Sequence, residues 1–153
     1  MYMMLQENLQ DLKGLAGNPL IVVIALLALI LGKLVLFWQL VVAVALAYIL
    51  TIFVRLFFFR RRPDKQKYHS LIGRFDASSF PSLHAMRASV LATLLALYFN
   101  NSLLTVLFII CALGVGIARV VQKRHFVSDV LVGLVVGVLI AFLSIWLVAR
   151  FIS

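Results

Sequence analysis

Acidic residues are scarce in this chain: five Asp and Glu stand against 14 Lys and Arg among 153 residues, a formal charge of +9. The few carboxylates are scattered, and no His/Cys cluster has the spacing of metal ligands. Cysteine occurs once, at Cys111, inside an apolar run. A single cysteine excludes an intramolecular disulfide, and this one reads as a small buried apolar side chain. A cleavable leader is not expected either. Glu7 and Asp11 precede the first apolar run, the start is not strongly basic, and no small-residue cleavage site follows.

What the chain has in excess is apolar surface. Hydrophobic residues make up 65% of it, with a mean hydropathy of +1.15, where a soluble domain carries roughly 45–50%. A small domain leaves much of its surface exposed, so lipid must solvate most of this excess. The length suits one membrane-embedded domain over 1–153. A basic balance fits nucleic acid, an anionic membrane surface or an anionic substrate. Nucleic acid is the poorest fit, because the basic residues sit in short segments between apolar runs. Oligomeric state is not legible.

The hydrophobic pattern predicts an all-α helical bundle with about five transmembrane helices. Leu5, Leu9, Leu12 and Leu15 recur at helical spacing within 1–16, which fits either an amphipathic helix in the membrane interface or a frayed terminus. A first helix runs from Pro19 to about Leu31, and Gly32-Lys33 turns the chain. A second spans Leu34 to about Phe59 and stops before Pro63. Residues 60–80 form the one long polar stretch. A third helix covers about Pro81 to Phe99, and Asn100-Asn101-Ser102 is a turn. A fourth covers about Leu103 to Val121, and a fifth runs from about His125 to Ile152. Gly133 and Gly137 stand four apart, a spacing that admits close helix packing; Gly114 and Gly116 are candidates for the same role in the fourth helix.

Three polar groups fall at helix ends on one side of such a bundle: Arg55 and Arg62-Pro63; Pro81-Ser82-Leu83-His84; and Arg119, His125 and Asp129. Arginine offers a planar fork of donors to phosphate oxygens and stays charged. Ser82 and His84 open a helix, where free N–H groups and the helix dipole favour an anion. His125 and Asp129 stand four apart, predicted to share a helix face. A carboxylate holding one imidazole nitrogen leaves the other free as nucleophile or base, and His84 can protonate a leaving oxygen. Arg60, Arg61, Lys65, Lys67, Lys123 and Arg124 are explained by snorkelling to headgroups. Arg55, Arg119 and Asp129 are not, since they lie inside apolar sequence where charge is costly. Arg87, one turn after His84, is left outside the phosphate set.

These three groups, in this order over residues 55–129, resemble the signature of the type-2 phosphatidic acid phosphatase family, related to vanadium haloperoxidases. That signature is Lys, six residues, Arg-Pro; Pro-Ser-Gly-His; and Ser-Arg, five residues, His, three residues, Asp. Here Arg55 replaces Lys, Leu83 replaces Gly and Ala118 replaces Ser. The resemblance implies an integral membrane phosphatase acting on a lipid phosphate or diphosphate of phosphatidate, phosphatidylglycerophosphate or polyprenyl type. It implies that His125 attacks phosphorus to form a phosphohistidine, that Asp129 orients it, and that His84 protonates the leaving alkoxide and then activates water. Arg55, Arg62, Ser82, Arg119 and the Leu83 N–H would hold phosphate oxygens. No metal or other cofactor is implied, which agrees with the few carboxylates. Pro-Ser-Leu-His also resembles branches that move a phospho-headgroup between lipids, so lipid phosphotransfer is the alternative. A non-enzymatic membrane protein that kept the fold is the reading from another class, and the intact Arg119, His125 and Asp129 set argues against it.

The helix count puts Lys13, Arg55, Arg60, Arg61, Arg62, Lys65, Lys67, Arg74, Arg87, Arg119, Lys123 and Arg124 on the catalytic side, and only Lys33 and Arg150 on the other. The positive-inside rule then predicts a cell-membrane protein with its site at the cytoplasmic face, whereas many relatives are thought to work on the outer face.

Overall fold

The computed structural model describes residues 18–63 and 78–151. The expectations for 1–16 and for most of the 60–80 stretch lie outside the described residues. Five helices follow in the expected order: α1 (Asn18–Ile30), α2 (Leu34–Phe57), α3 (Leu83–Phe99), α4 (Ser102–Val121) and α5 (Val127–Phe151). Among the described residues the only β-type pairing is an isolated bridge between Arg61 and Ser78.

The turns are set by local chemistry. Gly32 adopts φ +68° after α1, and two hydrogen bonds close the end: Lys33 N–H to Ala28 O at 2.7 Å and Gly32 N–H to Leu29 O at 3.0 Å. This is a Schellman motif, and a left-handed residue at that point favours glycine. The end of α4 repeats the pattern with Lys123 at φ +55°: Arg124 N–H reaches Arg119 O at 3.1 Å and Lys123 N–H reaches Val120 O at 2.9 Å. At the α3–α4 turn, Asn100 is left-handed and the Asn101 side chain accepts from Leu104 N–H at 3.1 Å, an N-cap that satisfies one orphan donor.

Three helices, α2, α4 and α5, are long and apolar enough to cross a membrane, at 24, 20 and 25 residues. The other two are shorter than full spans. With 13 residues α1 is about 20 Å long, and with 17 residues α3 is about 26 Å, against a hydrocarbon core of roughly 30 Å. α3 loses two residues from its expected start because Ser82 is its N-cap and Leu83 its first helical residue. It is the central helix: every residue from Ala85 to Leu91 is buried, including Arg87 and Ser89. The outer faces of its neighbours carry exposed Leu26, Phe53, Ile110, Leu139 and Trp146. Such a surface suits lipid as its solvent, and the chain is an all-α membrane helical bundle.

The core joins Leu36, Leu40, Ala43 and Ala47 of α2, Met86, Val90 and Leu94 of α3, and Ile140 and Ala141 of α5. At the site end, α3 and α5 touch backbone to side chain. A Cβ on Gly133 would stand 2.6 Å from Ser82 O, and one on Gly137 would collide with Ser89 Oγ and Met86 O. Ser89 Oγ also donates to Leu134 O at 2.7 Å. The close approach expected of Gly133 and Gly137 is therefore present. In α4, a Cβ on Gly116 would stand 2.7 Å from Val130 Cγ1, but one on Gly114 would meet open space, so only one of that pair serves packing.

Gly137→Ala should lower the thermal midpoint in detergent, at a cost of about 1–3 kcal/mol for overpacking against a backbone carbonyl. Gly114→Ala should leave it nearly unchanged. Equal effects would contradict the packing described.

Candidate active site

Four helix ends converge at one end of the bundle: the carboxyl ends of α2 and α4, and the amino ends of α3 and α5. Most of the buried polar side chains among the described residues cluster there: Ser78, Ser79, Ser82, Arg87, Arg119, His125 and Asp129 are all less than one-tenth exposed. Buried polar groups at this density require partners, and those partners define the site.

His125 is the best fixed. It lies outside both helices, after the Schellman turn that ends α4, and its N–H shares Arg119 O with that of Arg124, at 3.3 Å. Its Nδ1 stands 2.6 Å from Ser79 O. A carbonyl only accepts, so Nδ1 carries the proton and the Nε2 lone pair is left free. The Asp129 carboxylate is 4.0 Å from the same nitrogen, too long for a hydrogen bond. The carboxylate–imidazole hydrogen bond expected from the spacing is thus replaced by a backbone carbonyl. The reason is that α5 begins at Val127, so residues 125 and 129 are not one helical turn apart on a common face.

Asp129, fully buried in the first turn of α5, has two other partners. Its Oδ2 accepts from Phe126 N–H at 2.9 Å, and its Oδ1 from Arg60 at 2.6 Å. The same Arg60 nitrogen also reaches Ser128 Oγ at 2.8 Å, and the guanidinium lies 4.2 Å from the centre of the Phe126 ring. Sequence reasoning assigned Arg60 to headgroups. Its side chain is indeed 43% exposed, but its inner end is the counter-ion of Asp129. Nothing in the run Arg60-Arg61-Arg62 marks which arginine turns inward.

The amino end of α3 is seated by backbone contacts. Ser82 N–H donates to Asp129 O at 3.1 Å, and Ser82 Oγ accepts from Ala85 N–H at a long 3.5 Å. Leu83 directs its side chain onto the apolar core, so the bulk that replaces glycine there is packed into the core. His84, half-buried one residue on, is within electrostatic reach of Arg119, Arg87, His125 and Arg62. Arg55 donates to Pro81 O at 3.3 Å, and Arg55 and Arg62 both act on His125. Arg119 is buried; its Nη1 donates to Gln122 Oε1 at 3.2 Å, while its Nη2 has no hydrogen-bond partner among the described residues. Arg87 is held by the Tyr48 hydroxyl at 2.9 Å. The structure thus gathers His84, His125, Asp129, Arg55, Arg62, Arg119, Ser82 and Leu83 at one end. It adds Ser79, Arg60 and Arg87, of which the Ser79 contribution is a backbone atom without a sequence signal.

Burial is the largest influence on His125, and with the charges of Arg62 and Arg55 it lowers the imidazole from 6.5 to about 4; the Ser79 carbonyl and Asp129 pull the other way. The ring is therefore neutral at physiological pH. A neutral imidazole with a fixed tautomer, facing several guanidiniums and a helix amino end, has the chemistry that a nucleophile beside a bound anion needs.

A polytopic membrane protein with histidines and arginines gathered at its helix ends is the class so defined. The PAP2 superfamily model matches residues 36–153, and the chain belongs to that superfamily. Among solved structures, Aquifex aeolicus LpxE aligns with a TM-score of 0.78 at 22% identity, over 94% of this chain and 86% of that one. The first transmembrane PAP2 type phosphatidylglycerolphosphate phosphatase from Bacillus subtilis aligns at 0.71 and 24%, over 97% and 78%. Among curated relatives, a lipid A 1-phosphatase of Porphyromonas gingivalis is 38% identical over 73 residues, 46% of this chain and 16% of its own length. A human phospholipid phosphatase-related protein type 4 is 34% identical over 84 residues, 48% of this chain and 11% of its own. The chain spans less than a fifth of these curated relatives.

Histidine-selective NMR of the detergent-solubilised protein should find His125 still neutral at pH 5.5, titrating near 4. In Arg60→Gln the Asp129 charge is no longer offset, so the His125 titration should move upward. A wild-type value at or above 6.5 would contradict the buried, arginine-flanked environment.

Proposed function

We propose that this protein is a membrane phosphatase that hydrolyses a lipid phosphate or diphosphate through a phosphohistidine on His125. The observation that carries the reading is the 2.6 Å contact from His125 Nδ1 to Ser79 O, which leaves Nε2 as a lone-pair nucleophile next to Arg55 and Arg62. Membership of the PAP2 superfamily supports it.

In the first step Nε2 of His125 attacks phosphorus, the bond from phosphorus to the lipid oxygen breaks, and His84, protonated in the complex with the anionic substrate, gives its proton to that oxygen. Arg55, Arg62, Arg119, Ser82 and the Leu83 N–H hold the remaining phosphoryl oxygens as charge moves onto them. The unpartnered Nη2 of Arg119 supports this role, since a buried donor without an acceptor is costly until an oxyanion supplies one. In the second step water loses a proton to His84 and attacks the phosphohistidine. Inorganic phosphate leaves, and both histidines return to their starting state. Asp129 acts on His125 through its field and holds Arg60. The steps need no metal ion. An alcohol in place of water in the second step gives the phosphotransferase alternative.

His125→Ala should lower phosphate release by about 10³-fold or more with the helical circular dichroism unchanged. Activity should persist in EDTA and fall with vanadate, which suits an arginine-lined pocket. Most activity surviving in His125→Ala, or strict dependence on added divalent metal, would sink the mechanism. Transfer of phosphate to an added alcohol in preference to water would select the alternative.

The basic excess at the catalytic end supports a site at the cytoplasmic face of the cell membrane. Single cysteines at Ser70 and at Ser102, in a Cys111→Ala background, can be probed with an impermeant maleimide on intact cells. Labelling at 102 and not at 70 is expected, and the reverse would turn the protein over.

A further inference from the structure

The end of the bundle opposite the histidines holds a cavity of about 640 Å³. Its walls come from the α1–α2 turn and the start of α2, the end of α3 and the second half of α5. Most of the lining is apolar, with Leu36, Leu94, Leu97, Phe142 and Ile145 prominent. Three polar side chains interrupt it: Lys33 in the turn, Gln39 on α2 and Tyr98 at the end of α3. No hydrogen bond joins these three side chains to another described residue. They are also graded in depth. Lys33 and Tyr98 sit at the helix ends, and Gln39 lies six residues into α2, about 9 Å below Lys33 along the axis. An amide at that depth in an apolar helix wants an acceptor or donor that hydrocarbon cannot offer.

We propose that this cavity binds one anionic phospholipid from the leaflet opposite the catalytic end. The phosphate pairs with Lys33 and the Tyr98 hydroxyl, an ester carbonyl accepts from the Gln39 amide, and an acyl chain lies against Leu36, Leu94, Phe142 and Ile145. The order of charge, hydrogen-bonding group and hydrocarbon down the cavity is the order found down a phospholipid. The volume lies within the range of small-molecule pockets, about 300–1,000 Å³. Lys33 supplies the charge preference, as basic residues at a membrane surface do for anionic lipid. Charge at the rim, an amide below it and hydrocarbon around them make lipid the occupant the cavity chemistry favours. This site is separate from the catalytic reading and does not depend on it.

The test is photo-crosslinking of the full-length protein in nanodiscs of phosphatidylcholine doped with a photoactivatable phosphatidylglycerol, followed by peptide mapping. Adducts are expected in 31–39 and 94–98, several-fold above those from an equally doped photoactivatable phosphatidylcholine. Lys33→Ala and Gln39→Leu should each cut the yield at least threefold, and Lys33→Arg should restore it. Excess vanadate or inorganic phosphate should suppress adducts near His125 and spare these, which separates the two ends and a lipid from a free anion. Equal yields from the two lipids, or yields insensitive to Lys33→Ala and Gln39→Leu, would overturn the proposal.

Discussion

The closeness of α3 and α5 is the constraint on which the rest depends. Gly133 and Gly137 remove the two side chains that would hold the helices apart, and the α3 backbone settles into the space. That contact brings Ser82 within hydrogen-bonding distance of Asp129 O. It also sets the Ser78–Ser82 segment over the start of α5, where Ser79 O meets the imidazole of His125. A wider crossing would leave every helix intact and still separate the two halves of the site.

The bundle was legible because its helices are long apolar runs divided by strong local signals: Gly32 at a left-handed position, Pro63 after α2, and the paired asparagines between α3 and α4. The ends were less legible. Ser82 takes a capping role that shortens α3, and the Schellman turn at Lys123 carries the chain past His125 before α5 begins. Those few residues decide the site, since they convert an assumed one-turn spacing between His125 and Asp129 into a 4.0 Å gap. The true partners are distant in sequence: Ser79 lies 46 positions from His125, and Arg60 lies 69 from Asp129. Ser79 acts through a backbone atom common to all residues, and Arg60 is one arginine in a run of identical neighbours. The residue types of the pocket were readable, but their pairing depended on how two helix ends meet.

The electrostatics of the pocket are lopsided. Arg55, Arg62, Arg87 and Arg119 lie within reach of two histidines, while among the described residues one buried carboxylate is present and is already engaged by Arg60. Like charges confined in a partly buried volume repel one another, and burial makes water a poor screen. An oxyanion entering the pocket relieves that repulsion and supplies the acceptor that Arg119 Nη2 lacks. Its binding should therefore be linked to the stability of the fold, because a ligand held only by the folded state shifts the folding equilibrium toward it.

The anchoring of His125 by a main-chain oxygen places that interaction beyond the reach of ordinary mutagenesis. Replacing Ser79 by alanine deletes a hydroxyl that donates to Arg60 O and leaves the carbonyl in the chain, so an alanine scan would report on the hydroxyl and not on the carbonyl. Its contribution would surface only where the chain itself is altered. Backbone ester exchange, which weakens a carbonyl as an acceptor, would reveal it, as would an insertion that shifts the segment by one residue. A map of this site drawn from side-chain replacements alone would omit the atom that sets which imidazole nitrogen carries the proton.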